Sequence, residues 1–63
     1  MDSRTLIRLL QRHGFVGTPG KGSHWNFRKP GFPRTITVPH PRKDLGVGLI
    51  QRILRDAQID EDG

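Results

Sequence analysis

The residues best suited to chemistry are three histidines, and they stand in unlike surroundings. Histidine has an ordinary pKa of about 6.5, so it can give or take a proton near neutral pH. His24 follows Gly20-Lys21-Gly22-Ser23, where the glycines let a backbone or an anion come close, and Lys21 and Arg28 can supply positive charge. Such a set suits proton transfer at a phosphodiester. A base takes the proton of a 2′-hydroxyl, a cation stabilises the charge that builds on phosphate, and an acid protonates the leaving oxygen. His40, held between Pro39 and Pro41 and just ahead of Arg42-Lys43, could touch phosphate, serve as a second proton-transfer group, or only stiffen a turn. His13 ends an apolar helix face and reads as half-buried packing. An exposed strand histidine without a role is the bland alternative for His24.

Other chemistries lack their parts. Three scattered histidines without a cysteine do not have zinc-site spacing. Gly20-Lys21-Gly22-Ser23 does not have the glycine, four residues, Gly-Lys-Ser/Thr spacing of a nucleotide P-loop, and it opens a strand and not a helix. No Ser/His/Asp arrangement is legible, and the carboxylates crowd the C-terminal end. No metal and no cofactor is expected.

The elements that must position these residues follow from periodicity. Ser3 is placed to cap a helix starting at Arg4, with Leu6, Leu9, Leu10 and His13 on one face and Arg4, Arg8 and Arg12 on the other, ending at His13-Gly14. Phe15 to Thr18 reads as a strand, and Thr18 to Gly22 as a turn. Ser23 to Lys29 alternates, with Trp25 and Phe27 to one side and His24, Asn26 and Arg28 to the other. After Pro30-Gly31-Phe32-Pro33, Arg34 to Val38 alternates again, with Ile36 and Val38 apolar and Thr35 and Thr37 polar. A second helix from about Gly46 to Gln58 carries Val47, Ile50, Ile53, Leu54 and Ala57 on an apolar arc, with Arg52 and Arg55 facing away. The order is α-β-β-β-α. The expected fold is an α+β two-layer sandwich, a three-stranded antiparallel sheet with both helices on one face and the other face open. One domain over 1–59 and an acidic, frayed tail over 60–63 complete the reading.

Charge narrows the class of partner. All eleven lysines and arginines lie between Arg4 and Arg55, where Asp44 is the one carboxylate, so that stretch carries +10 against +5 for the whole chain. A field of that density draws polyanions, which favours nucleic acid or an acidic protein over mere solubility. No apolar run approaches the roughly 18 residues of a membrane span, and no apolar segment follows Met1, so a cytoplasmic protein away from membranes is expected.

Several short segments together resemble one family. Leu6-Ile7-Arg8-Leu9-Leu10, Gly14-Phe15, Lys21-Gly22-Ser23-His24, Thr37-Val38-Pro39-His40-Pro41, Lys43-Asp44-Leu45, Ile50 and Ile53-Leu54 stand in the order and spacing of HicA toxins. The sequence departs from that pattern at Trp25, where many relatives have a second histidine, and at Gly46, where proline is common. The resemblance implies a double-stranded-RNA-binding-like fold and a toxin that cleaves mRNA, with His24 as the catalytic histidine. It also implies a partner, a HicB antitoxin that covers the catalytic surface. RNA and phosphate contacts are expected from Lys21, Gly22, Ser23, Arg28, His40, Arg42 and Lys43. The competing expectations are a non-catalytic double-stranded-RNA-binding module and a basic subunit that only docks an acidic protein.

Overall fold

Asp2, and not Ser3, caps the first helix, α1 (Ser3–Arg12): its carboxylate accepts the Thr5 backbone N–H at 2.8 Å. Both residue types cap well, and the choice is settled by tertiary structure, because the Ser3 side chain is drawn inward until it is 1% exposed. Leu6 and Leu10 are buried while Arg4, Arg8 and Arg12 are exposed, as the spacing requires. The helix stops at Gly14, whose φ of +92° sits in the region glycine tolerates. There the Phe15 N–H bonds the Leu10 carbonyl and the Gly14 N–H bonds that of Gln11, the bonding of a Schellman motif. His13 caps this end exposed to solvent, and is not the half-buried packing residue its place on the apolar face suggests.

The computed structural model describes residues 1–60. Within them three strands follow α1: β1 (Val16–Pro19), β2 (His24–Arg28) and β3 (Ile36–Pro39), antiparallel in the order β1-β2-β3. β1 and β3 sit later than their alternation suggests. Phe15 leaves the strand to join the core and meets Phe32 edge-to-face at 5.3 Å. β2 lies between its neighbours, with Val16 to Pro19 opposite Arg28 to Trp25 and His24 to Phe27 opposite Pro39 to Ile36. The second helix, α2 (Val47–Asp56), starts after Gly46 without a side-chain cap. Of its expected apolar arc, Ile53 and Ala57 are buried and Ile50 and Leu54 are half-buried, but Val47 is 70% exposed, because it lies in the unsupported first turn.

Leu6 and Leu10 of α1, Phe27, Ile36 and Val38 of the sheet, and Ile53 of α2 meet in one apolar cluster. Both helices therefore cover the same sheet face, giving the two-layer sandwich. Leu45 and Ile59, which flank α2 and follow no helical period, are also buried there. Among the described residues no helix is long and apolar enough to cross a membrane. Of the acidic tail, 61–63 lie outside the described residues, and Asp60 is exposed.

Candidate nucleic-acid interface

The turn between β1 and β2 is built to bring Lys21 and His24 together. The Gly20 N–H bonds the His24 carbonyl at 2.7 Å, and the His24 N–H bonds the Lys21 carbonyl at 3.2 Å. Gly22 completes the reversal with a φ of +58°, a conformation that costs most side chains energy. A Cβ on Gly20 would stand 2.9 Å from the Asn26 amide nitrogen, so the lack of a side chain there lets the amide lie against the turn. Lys21, Gly22, Ser23 and His24 are all exposed.

By strand alternation the His24 imidazole leaves the sheet on the face away from the helices, opposite to Trp25 and Phe27. Next on that face comes a polar row across the three strands, Thr18, Asn26 and Thr37 in register. The Thr37 hydroxyl donates to Asn26 Oδ1 at 3.0 Å. That bond leaves the amide's two N–H donors for other partners. Trp25 is half-buried on the helix side, so it does not share this face with Asn26.

Arg28 is exposed on the same face, but a strand rises about 3.3 Å per residue, which sets it roughly 13 Å from His24. It groups instead with Lys29, Phe32 and Arg34 around a cavity of about 640 Å³ at the far end of β2. The Lys29 ammonium lies 4.9 Å and 5.2 Å from the Phe15 and Phe32 ring centres, a cation–π arrangement. Lys21 and Arg28 are thus not two jaws about one imidazole, because facing the same way on a strand is not the same as being close.

His40 takes the opposite side of the sheet. Its backbone N–H bonds the Ser23 carbonyl at 2.7 Å, which ties it to the start of β2 beside His24. Its ring, however, turns toward the helices. Nδ1 lies 2.7 Å from the Ser3 hydroxyl, and the ring meets Trp25 edge-on at 5.8 Å. The same hydroxyl accepts the Arg42 N–H at 2.9 Å, and the Ser3 N–H donates to the Arg42 carbonyl at 2.9 Å. Ser3 thus fastens the segment after β3 to the beginning of α1. Nothing in its neighbourhood in sequence signals this, since its partners lie 37 and 39 residues away. Arg42 and Lys43, exposed, border a cavity of about 360 Å³ with Arg4 and His40.

The site is strongly cationic. Among the described residues the ion pairs join the Met1 amino group to Asp44, and Arg34 and Arg52 to Asp56. Lys21, Arg28, Arg42 and Lys43 have no carboxylate partner there, so their charge is free to act on an approaching polyanion. No group of three or more potential metal-ligating side chains gathers among the described residues.

Comparison with known proteins agrees with this geometry. No curated protein sequence matches the chain. A solved structure described as a HicA3 and HicB3 toxin–antitoxin complex contains a chain of the same shape, with a TM-score of 0.82 and 36% identity over 95% of this chain and 97% of that one. Residues 3–59 match the family described as the HicA toxin of bacterial toxin–antitoxin systems, which is nearly the whole described fold, and the chain belongs to that family.

Proposed function

We propose that this toxin is a metal-independent endoribonuclease that cleaves mRNA, with His24 as the group that moves the proton. The observation that carries the reading is the placement of His24. It is an exposed imidazole on the sheet face the helices leave open, held by a tight turn that also presents Lys21. His24 would take the proton of a ribose 2′-hydroxyl. The 2′-oxygen then forms a bond to phosphorus, the bond from phosphorus to the 5′-oxygen breaks, and that oxygen gains a proton as it leaves. The products are a 2′,3′-cyclic phosphate and a 5′-hydroxyl end. Lys21 stabilises the charge on the phosphoryl oxygens, and Gly20, Gly22 and Ser23 let the backbone of the RNA approach. A 2′-hydroxyl nucleophile selects RNA over DNA. Arg28, Arg42 and Lys43 hold other parts of the strand through its phosphates, giving affinity without sequence choice.

The partner reading follows from the relative, which was solved with HicB3. The cationic open face here suits an antitoxin of the HicB type that lays an acidic surface over His24 and so blocks RNA.

The decisive experiment replaces His24 with alanine and follows RNA cleavage, RNA binding and folding together, with a chelator present. Cleavage with a cyclic-phosphate product should be lost while binding and fold persist. Cleavage that survives the substitution assigns the reaction to another residue. A wild-type protein that binds duplex RNA and never cuts it would be a binding module instead.

A further inference from the structure

We infer that the cavity bordered by His40, Arg4, Arg42 and Lys43 is a preformed subsite for an RNA phosphate next to the one cut at His24, with the His40 ring anchored at its edge. The identity of the polyanion rests on the ribonuclease reading. The site itself rests on the hydrogen bonds around Ser3.

A hydroxyl has one proton to give and two lone pairs. The Ser3 oxygen accepts the Arg42 N–H at 2.9 Å and keeps both a proton and a lone pair, one of which meets His40 Nδ1 at 2.7 Å according to the ring's tautomer. No described residue bonds Nε2, and the ring borders the cavity. The hydroxyl and the edge of Trp25 hold the ring still. A ring whose orientation is already set, with Nε2 open to a ligand, therefore adjoins three cations. One carboxylate, Asp2, also borders the cavity, but it is engaged with the Thr5 N–H, and the balance stays positive.

The cavity lies at the same strand end as His24, since His24 pairs with Pro39 and the His40 N–H bonds Ser23. The two rings leave the sheet on opposite faces. A phosphodiester chain rounding that end meets His24 with one phosphate and the cavity with a neighbouring one. This arrangement gives His40 the part of an anchor and not of the second proton-transfer group.

The test uses the full chain and two readouts. In the first, inorganic phosphate is titrated while the His40 ring and the Arg42 amide are followed by NMR. Saturable shifts at both, abolished in an Arg42→Gln/Lys43→Gln variant whose fold is verified by circular dichroism, are expected. Unmoved signals overturn the subsite. In the second, the same double variant is compared with wild type on RNA. KM should rise about tenfold with kcat nearly unchanged, the mark of lost uniform binding. In a His24→Ala background the slope of log affinity against log salt should become shallower by about two, one for each cation removed. Unchanged KM and slope with RNA still being cut dismiss the subsite alone. RNA that wild type never cuts, with the phosphate shifts and slope change intact, dismisses the ribonuclease and keeps the subsite.

Discussion

The hydroxyl of Ser3, at the start of α1, lies 2.7 Å from Nδ1 of His40, just past the end of β3. With the Arg42 N–H on the same oxygen, one buried side chain satisfies two polar groups of a segment that borders the cationic cavity. Ser3→Ala removes the partner of both. A buried polar group left unsatisfied costs about 1–3 kcal/mol, and the substitution should destabilise the fold by an amount in that range. Urea unfolding measures it. A midpoint unchanged by Ser3→Ala would show that water replaces the hydroxyl without loss.

The Phe27 ring occupies the space beside Gly17, its register partner, so that a Cβ built on Gly17 falls 2.3 Å from the ring carbon Cε2. Phe27 is buried in the core and has nowhere to retreat. Gly17→Ala should therefore destabilise the protein by about 1–3 kcal/mol through overpacking, although alanine is the smallest possible addition. The thermal midpoint is the measurement. Gly17→Ala combined with Phe27→Leu, which opens space above the strand, should lose less than the two single changes added together, because the clash is absent from the pair.

These two contacts mark where local pattern stops being informative. The strands and helices, and the open face carrying His24 and Asn26, follow from periods of two and 3.6 that any residue window displays. The choice between Asp2 and Ser3 as cap does not, because adjacent good caps look alike until a partner distant in sequence claims one of them. Leu45 and Ile59 belong to the core but sit outside the helical period, where apolar spacing carries no signal. The cationic residues were legible as a set, but their division between the two ends of β2 was not. Composition counts charges, and only the strand rise separates Arg28 from His24. The turn in the His40 ring's path toward Ser3 is likewise a tertiary fact.

Asp2 links helix stability to acidity. Its carboxyl is held below the ordinary value of 3.8, chiefly by the hydrogen bond from Thr5. A group whose pKa is lowered by folding stabilises the protein above its unfolded value, and that contribution fades as pH falls through the folded value. Asp2→Ala should therefore lower the melting midpoint at pH 7, and the gap to wild type should narrow once pH drops below 3.8. Melts at pH 7 and at pH 2.5 would show it. A gap of the same size at both would mean that the charge of Asp2 contributes nothing through this bond.

Gly22 separates the geometry of the turn from its stability. Nothing lies within 4 Å of a Cβ built there, so a larger side chain meets no obstacle, and the cost of substitution comes from the backbone φ of +58° alone. In that left-handed region asparagine is tolerated, whereas a β-branched residue is strained by about 1–2 kcal/mol. Gly22→Val can relieve the strain by opening the bond from the His24 N–H to the Lys21 carbonyl, which shifts His24 relative to Lys21. RNA cleavage should then fall well beyond what the small loss of stability explains, while Gly22→Asn keeps most of the rate. Single-turnover cleavage beside thermal melts of the two variants makes the comparison. Equal rates for valine and asparagine would show that the Lys21–His24 turn does not have to hold its shape for the reaction.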